Sequence, residues 1–556
     1  MRWFLPCALL ILSCAPVNKV SRPESSYAHF LQGKLFLSEG NLDKAVDELE
    51  RAVALDPKSP DLFFELAGLH LRKGNLSKAL EAAKKAAELA PSDPKTHFLL
   101  GSLYPLAGNM DSAVKELETA LALSPDNQET ALYLSSQYIQ KGDFGKSREL
   151  LKRFLSKEPD SFLIYYFLAR TEVGDKNYNK AESFYKKALE INPDWKEALV
   201  ELGMVYEMQN RLDKAVEIYE KVLSLFPYHL VARERLGSIH LSQNKRQEAL
   251  KEFQVMEKLE SGNLDLRVKM GLLYLEEKNY EKSIEEFLFV LSAKPDLHQA
   301  RYYLAIAYLE GGSPSQALEE LNRIPEDSPI HLDALLQAAY IHYKEEHNDA
   351  ALSALQKALA KPAQSPEPYN MAASIYREMK KYPEAIQTLK DGIQSFPQNE
   401  KLYYHLGVSY DQSGNLEECI KAMDKVLEIN PKNADALNYI GYSFADRGLH
   451  LDKAEQMVKK ALKIKPEDGY ITDSLGWIYF KKGLIKRAVK ELERAVQLAK
   501  DDPLILEHLG DAYIKAQRKS DALECYMKAL SLEPKEEDVK KRLEEKVKDL
   551  APFPAN

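Results

Sequence analysis

The sequence predicts an all-α chain, a solenoid of about fifteen helix-turn-helix hairpins closed by a short C-terminal helix, and three columns of residues predict it. From Gly33, stepping by 34, a small residue recurs at Ala67, Gly101, Ser135, Ala169, Gly203 and onward to Gly441; after one inserted residue it continues at Gly476 and Gly510. Twelve positions behind it runs a second small column, from Ala45 and Ala79 to Ala488 and Ala522. Proline ends most units, from Pro57 and Pro91 to Pro466 and Pro534. Small residues are needed where the two helices of a hairpin approach closely, and proline, which has no N–H, cannot continue a helix. A fixed period held over the whole chain marks a repeat array rather than several independent domains.

In chain order, the first element is a single Arg2 followed by an apolar run from Trp3 to Leu12. Spanning a bilayer takes about 20 apolar residues, so a run this short reads as the core of a signal peptide. The sequence Ile11-Leu12-Ser13-Cys14 looks like a bacterial lipobox. That resemblance implies a signal peptide over residues 1–13, acylation of Cys14, and a polar lipidated tether over 14–25. Several acyl chains would hold such a protein stably on a membrane. Ala15 after the cysteine resembles lipoproteins sorted to the outer membrane, facing the periplasm.

The array follows over 26–536, and its last unit, Pro503 to Glu536, shows the pattern whole. Leu506, Leu509, Gly510 and Tyr513 mark one amphipathic helix; Ala522, Tyr526 and Ala529 mark a second, and Pro534 stops it. This resembles the tetratricopeptide repeat (TPR) family, whose period is 34 residues. The resemblance implies a right-handed superhelical solenoid with a concave surface lined by the first helix of each repeat. Between paired helices, Gly40-Asn41, Gly74-Asn75, Gly108-Asn109, Gly142-Asp143 and Gly414-Asn415 supply a left-handed residue and an N-cap. Pro105 is expected to bend the end of its helix, and the insertion at Gly448-Leu449-His450 to lengthen one turn. Prolines crowded over 325–368 predict a hinge and a change of pitch. The charged segment 537–550 reads as a capping helix, and 551–556 as a disordered tail.

A formal charge of -9 with no basic stripe argues against nucleic acid. Four scattered cysteines make no disulfide framework. Cys419 and Cys525 fall in second helices three repeats apart, too far to join, and read as small buried residues. His70, His240 and His342 occupy an aromatic column and read as half-buried substitutes rather than ligands. No phosphate-loop, nucleophile-elbow, zinc-protease or paired-cysteine motif is present in the sequence, and almost every residue is already assigned to a hairpin. Catalysis, a cofactor and a metal are therefore not expected.

Function is sought in the groove. Three positions before the small residue, a groove-facing place in TPR proteins, the early repeats carry Phe30, Phe64, Phe98, Leu132 and Tyr166, and the last five carry Asn370, Tyr404, Asn438, Asp473 and Glu507. Asp411, Asp446 and Asp511 add charge toward the C-terminus. The expectation is a groove that is apolar and aromatic near the anchor and polar to acidic far from it, suited to a protein or peptide segment. Against it stands simple packing of the aromatic ladder between repeats and a solvated acidic face. The clamp that TPR proteins use for chaperone C-termini is not matched, and neither is the asparagine ladder of the O-linked N-acetylglucosamine transferases. Oligomeric state is not legible. The resemblance implies a scaffold for an envelope complex serving secretion, pilus or exopolysaccharide export. It also leaves open a regulatory subunit that holds an enzyme, or a scaffold contacting exopolysaccharide.

Overall fold

The computed structural model describes residues 25–360, 364–534 and 537–550. The signal-peptide segment, Cys14, nearly all of the tether and the tail 551–556 lie outside the described residues. The chain divides into two compact units, Met1–Leu266 and Arg267–Asn556. Among the described residues all regular elements are helical. They form fifteen hairpins, from Ser26–Ser38 with Leu42–Leu55 to Pro503–Lys515 with Lys519–Ser531, and a final helix Glu537–Leu550.

Each hairpin forms because its two small columns meet. In Leu42–Leu55, Ala45, Val46, Leu49 and Ala52 are buried along one stripe at helical spacing, and the charged residues face outward. The partner helix contributes Gly33, where an added Cβ would lie 2.4 Å from Leu49 Cδ1. At Gly203 the same test places a Cβ 2.5 Å from the ring of Tyr219, a fully buried side chain whose hydroxyl donates to Glu207. The small column therefore exists because a facing side chain fills its place.

The turns match expectation in part. Gly40 takes φ +77° and Asn41 Oδ1 accepts from Lys44 N at 3.2 Å; Asn109 and Asn415 cap in the same way. Asn75 and Asp143 make no side-chain cap bond, so those two expected N-caps are corrected. Where glycine is missing, other residues take the left-handed conformation, among them Lys176, Asn210, Lys278, Lys380 and Gln517. Pro105 ends its helix at Leu103 and converts the last turn to a 3-10 turn, Tyr104–Ala107. The insertion is absorbed by Gly448 at φ +70° and His450 at φ +45° ahead of Leu451–Ile464.

Just before 325–368 the helix Pro314–Asn322 is short, 9 residues where its counterparts have up to 14. The division between compact units falls at Leu266/Arg267. Ser261-Gly262 stands just before it, where the neighbouring repeats carry Pro227 and Pro295 and thus a fixed φ. Cys419 is buried, its thiol pushed up to about 12 by burial, whereas Cys525 is only partly covered. His70 and His240 are fully buried rather than half-buried, and the Nδ1 of each has no partner.

Candidate functional site

The five aromatic or apolar residues expected in the early groove divide into two kinds. Phe30 and Phe64 are half-buried and line an open pocket of about 520 Å³ together with the exposed Tyr27. Carboxylates of Asp56, Asp61, Glu65 and Asp93 stand around it. Lys34 bridges Glu65 at 2.7 Å and lies over the Phe30 ring. Further along, the ladder closes on itself. Phe98 meets Tyr133 edge-on at 5.7 Å, and Leu132 is buried. Tyr166 is buried against Trp195, and its hydroxyl donates to Glu201 at 2.9 Å. Burial and the Glu201 charge raise the Tyr166 pKa, so this tyrosine is a neutral donor fixed within the stack. Of these five residues, Phe30 and Phe64 are the aromatics that face an open pocket.

The acidic end is rearranged more strongly. Glu507 is buried, and Arg542 of the final helix grips it in a fork, Nε to Oε1 at 3.2 Å and Nη2 to Oε2 at 3.0 Å. Lys546 donates to Glu507 at 2.8 Å and to Asp511 at 2.6 Å, and Tyr526 donates to Asp511 at 2.6 Å. Burial would raise the Glu507 pKa, but the two cations outweigh it and hold the carboxyl below its usual range. Asp473 is buried with both oxygens 3.0 Å from His508 Nδ1, and the His508 ring stacks on Trp477 at 4.0 Å. Burial alone would lower the His508 pKa; Asp473 more than offsets this, so the pKa is raised. Asp411 accepts from Tyr439 at 2.9 Å and from Arg447 at 2.7 Å.

The expectation that these carboxylates are free for a partner is therefore corrected for Asp411, Asp473, Glu507 and Asp511. A buried carboxylate is stable only when paired, and the chain supplies the cations itself. Asp446 is exposed, and Tyr404 is half-buried, edge-on to Tyr439 at 5.9 Å. Sequence reasoning missed Arg542, Lys546, His508 and Trp477 as the partners. The available signal was spacing, since Arg542 follows Glu507, and His508 follows Asp473, by 35 residues, about one repeat.

A second group of polar residues gathers around Asn370, the one member of it that the sequence singled out. Asn370, Ser374 and His405 open into a pocket of about 330 Å³ with Tyr340, Tyr343 and Met371. Arg377 reaches Ser374 Oγ at 3.2 Å and the His405 carbonyl at 3.4 Å. Among the described residues there is no cluster of His, Cys, Asp and Glu that suits a metal ion. No helix there is long and apolar enough to cross a membrane.

Models of the tetratricopeptide repeat match residues 19–60, 30–94, 64–128, 106–171, 160–227, 274–329, 336–400, 376–438, 474–502 and 503–536. A TPR repeat-containing protein of Pseudomonas aeruginosa is 29% identical over 181 residues, 32% of this chain and 30% of that protein. The type IV pilus assembly protein PilF of the same organism is 26% identical over 132 residues, 23% of this chain and 52% of that protein. The chain spans about a quarter to a third of the length of the first curated relatives it matches. Among solved structures, a tetratricopeptide repeat protein from Parabacteroides merdae is similar at 20% identity and a TM-score of 0.40, covering 45% of this chain and 98% of that one. The family-model matches take in well over half of the sequence and agree with the hairpins described above: the chain belongs to the tetratricopeptide repeat family.

Proposed function

We propose that this chain is a lipid-anchored periplasmic scaffold that binds protein segments and helps assemble or stabilise an envelope complex, with a pilus system favoured. That a TPR array serves protein-protein interaction follows from the family; the anchor, the compartment and the complex are the further reading. The observation that carries it is the open pocket of Tyr27, Phe30 and Phe64, beginning directly after the segment whose sequence resembles a lipoprotein leader. Half-exposed aromatic side chains in a concavity are the usual anchors of a partner segment. The similarity to PilF over part of the chain supports the pilus among envelope machines.

The test is crosslinking and capture from membranes with wild type, Cys14→Ala and Phe64→Ala. Cys14→Ala is expected to shift the protein to the soluble fraction. Phe64→Ala is expected to lose captured partners while its melting stays close to wild type. Membrane fractionation of Cys14→Ala identical to wild type would rule out the acyl anchor. Unchanged capture with lowered melting for Phe64→Ala would make the aromatic pocket a packing feature.

A further inference from the structure

The final helix presents charge to water and the first helix does not. Every exposed residue of Glu537–Leu550 is charged, the polar outer face that the end of a solenoid needs. In Ser26–Ser38 the exposed residues are Tyr27, Ala28, Leu31, Gln32, Leu35 and Ser38, none of them charged. At 3.6 residues per turn they fall on one arc of roughly 140°, with Tyr27 and Gln32 at its two edges. Tyr27, Leu31 and Leu35 keep 67%, 48% and 53% of their surface in water. The counterparts of Leu35 in later repeats, Leu69, Leu103, Ile239 and Ile375, are buried, Leu69 in one cluster with Val46 and Leu49 of the preceding repeat. Leu35 has no such hairpin against it among the described residues.

Another hairpin does not fit this arc. The place of Gln32 holds an apolar, buried residue in every later repeat, Leu66, Leu100 and Leu134 among them. A stack continued by a second copy would bury the Gln32 amide among aliphatic side chains, which costs free energy unless the amide is hydrogen-bonded. The area is also too small: a stable interface takes about 800 Å² from each partner, and one tyrosine and two leucines, each already partly covered, offer a fraction of that. Aliphatic side chains flanked by a tyrosine and an amide suit a lipid–water interface instead, where a tyrosine ring sits in the apolar layer and its hydroxyl among the headgroups. Position agrees. The segment 14–25, which follows the proposed acylation site, reaches at most about 42 Å at about 3.5 Å per residue, so an anchored chain keeps this helix close to the bilayer. That segment carries Lys19 and Arg22 against a single Glu24, the sign that anionic headgroups attract.

We infer that the first helix, Ser26–Ser38, lies along the surface of the membrane that carries the anchor, with Leu31 and Leu35 in the upper acyl layer and Tyr27 and Gln32 at the headgroups. The inference rests on the lipid-anchor reading above and adds a second contact to it. An acyl tether alone leaves the array free to turn; a helix seated about 5–10 Å into the interface does not. Phe30 lies roughly 120° around the helix from the midpoint of Leu31 and Leu35, so the pocket of Phe30 and Phe64 stays open to the aqueous side when the helix is seated. The lipid contact thus orients the pocket that takes a partner segment.

The test uses the full chain, purified with its lipid and reconstituted in vesicles of phosphatidylethanolamine with a minority of phosphatidylglycerol, the upper acyl carbons brominated as quencher. Leu31→Trp is the probe, and wild type supplies the background of Trp195 and Trp477. Bromolipid is expected to quench the added emission of Leu31→Trp and to leave that of Tyr228→Trp, exposed farther along the same unit, unchanged. Adding Leu35→Glu to the probe should abolish the quench while the protein still floats with the vesicles through Cys14, and Leu35→Met should retain it. Circular dichroism melts accompany each variant; should Leu35→Glu lower the melt, Ala28→Glu, exposed on the same arc, gives the same reading. Absence of quenching on vesicles that carry the protein overturns the inference and leaves the acyl anchor standing. Failure of the wild type to float overturns both. Shielding of Leu31→Trp from iodide without lipid then names another cover: a second copy if the protein sediments as a dimer, residues 14–25 if it is a monomer. Flotation and quenching that persist with Cys14→Ala would uphold the helix contact and remove the acyl anchor.

Discussion

Leu543→Ala tests how the end of the array is sealed. The final helix Glu537–Leu550 has one fully buried side chain, Leu543, with Val539, Val547 and Leu550 partly buried beside it. Truncating a buried leucine to alanine costs about 2–5 kcal/mol. The bonds from Arg542 and Lys546 to Glu507 hold the other side, but Arg542 keeps 49% of its side chain in water, so that pair is screened and adds at most about 1 kcal/mol. Leu543 is therefore the larger share of the docking energy. A 14-residue helix is marginal alone in water. Undocked, it should unfold.

Hydrogen exchange read by mass spectrometry is the assay. Amide protection over 537–550 should fall at least about thirtyfold, the lower end of that cost. Protection should also fall in Pro503–Lys515, whose Glu507 and Asp511 lose the cations of Arg542 and Lys546. Each repeat of a solenoid contacts only its neighbours, so protection before residue 266 should not change. Leu543→Met, which keeps the volume, should cost under about 1.5 kcal/mol and leave exchange near wild type. Unchanged exchange in 537–550 for Leu543→Ala, or equal loss in both units, would refute this account of the cap.

Three further predictions follow from single positions. Lys176 sits exposed at φ +58°, a conformation that costs a side chain about 1–2 kcal/mol; against glycine's entropic penalty, Lys176→Gly should stabilise by about 0.5–1 kcal/mol, and a lowered urea midpoint would contradict it. Gly203→Ala drives a methyl into Tyr219 and should destabilise by about 1–3 kcal/mol in the same titration, whereas a neutral result would mean the ring can retreat. His508 has a raised pKa in the fold, set by Asp473 against burial and helped by Asp511 and Glu507. Its contribution to stability is therefore complete below about pH 6.5 and is lost as pH rises through the folded value. The melting difference between wild type and His508→Gln should shrink with rising pH across that window, and a difference that grows would reverse the sign assigned here.

The hairpins were legible because one small residue per unit, facing Leu49 or Tyr219, leaves a period that no other constraint disturbs. The final helix was legible from its charge together with its helical period. The acidic groove was misread because a helix face taken by itself shows Glu507 and Asp511 as free, when the residues that neutralise them lie about one repeat downstream in Arg542 and Lys546. The aromatic ladder could not be sorted for a related reason. Phe64 and Tyr166 hold the same place in the repeat, and only the neighbour decides exposure: Tyr166 has Trp195 beside it, while Phe64 faces the open pocket. The division at Leu266/Arg267 had a faint signal, the loss of proline at Ser261.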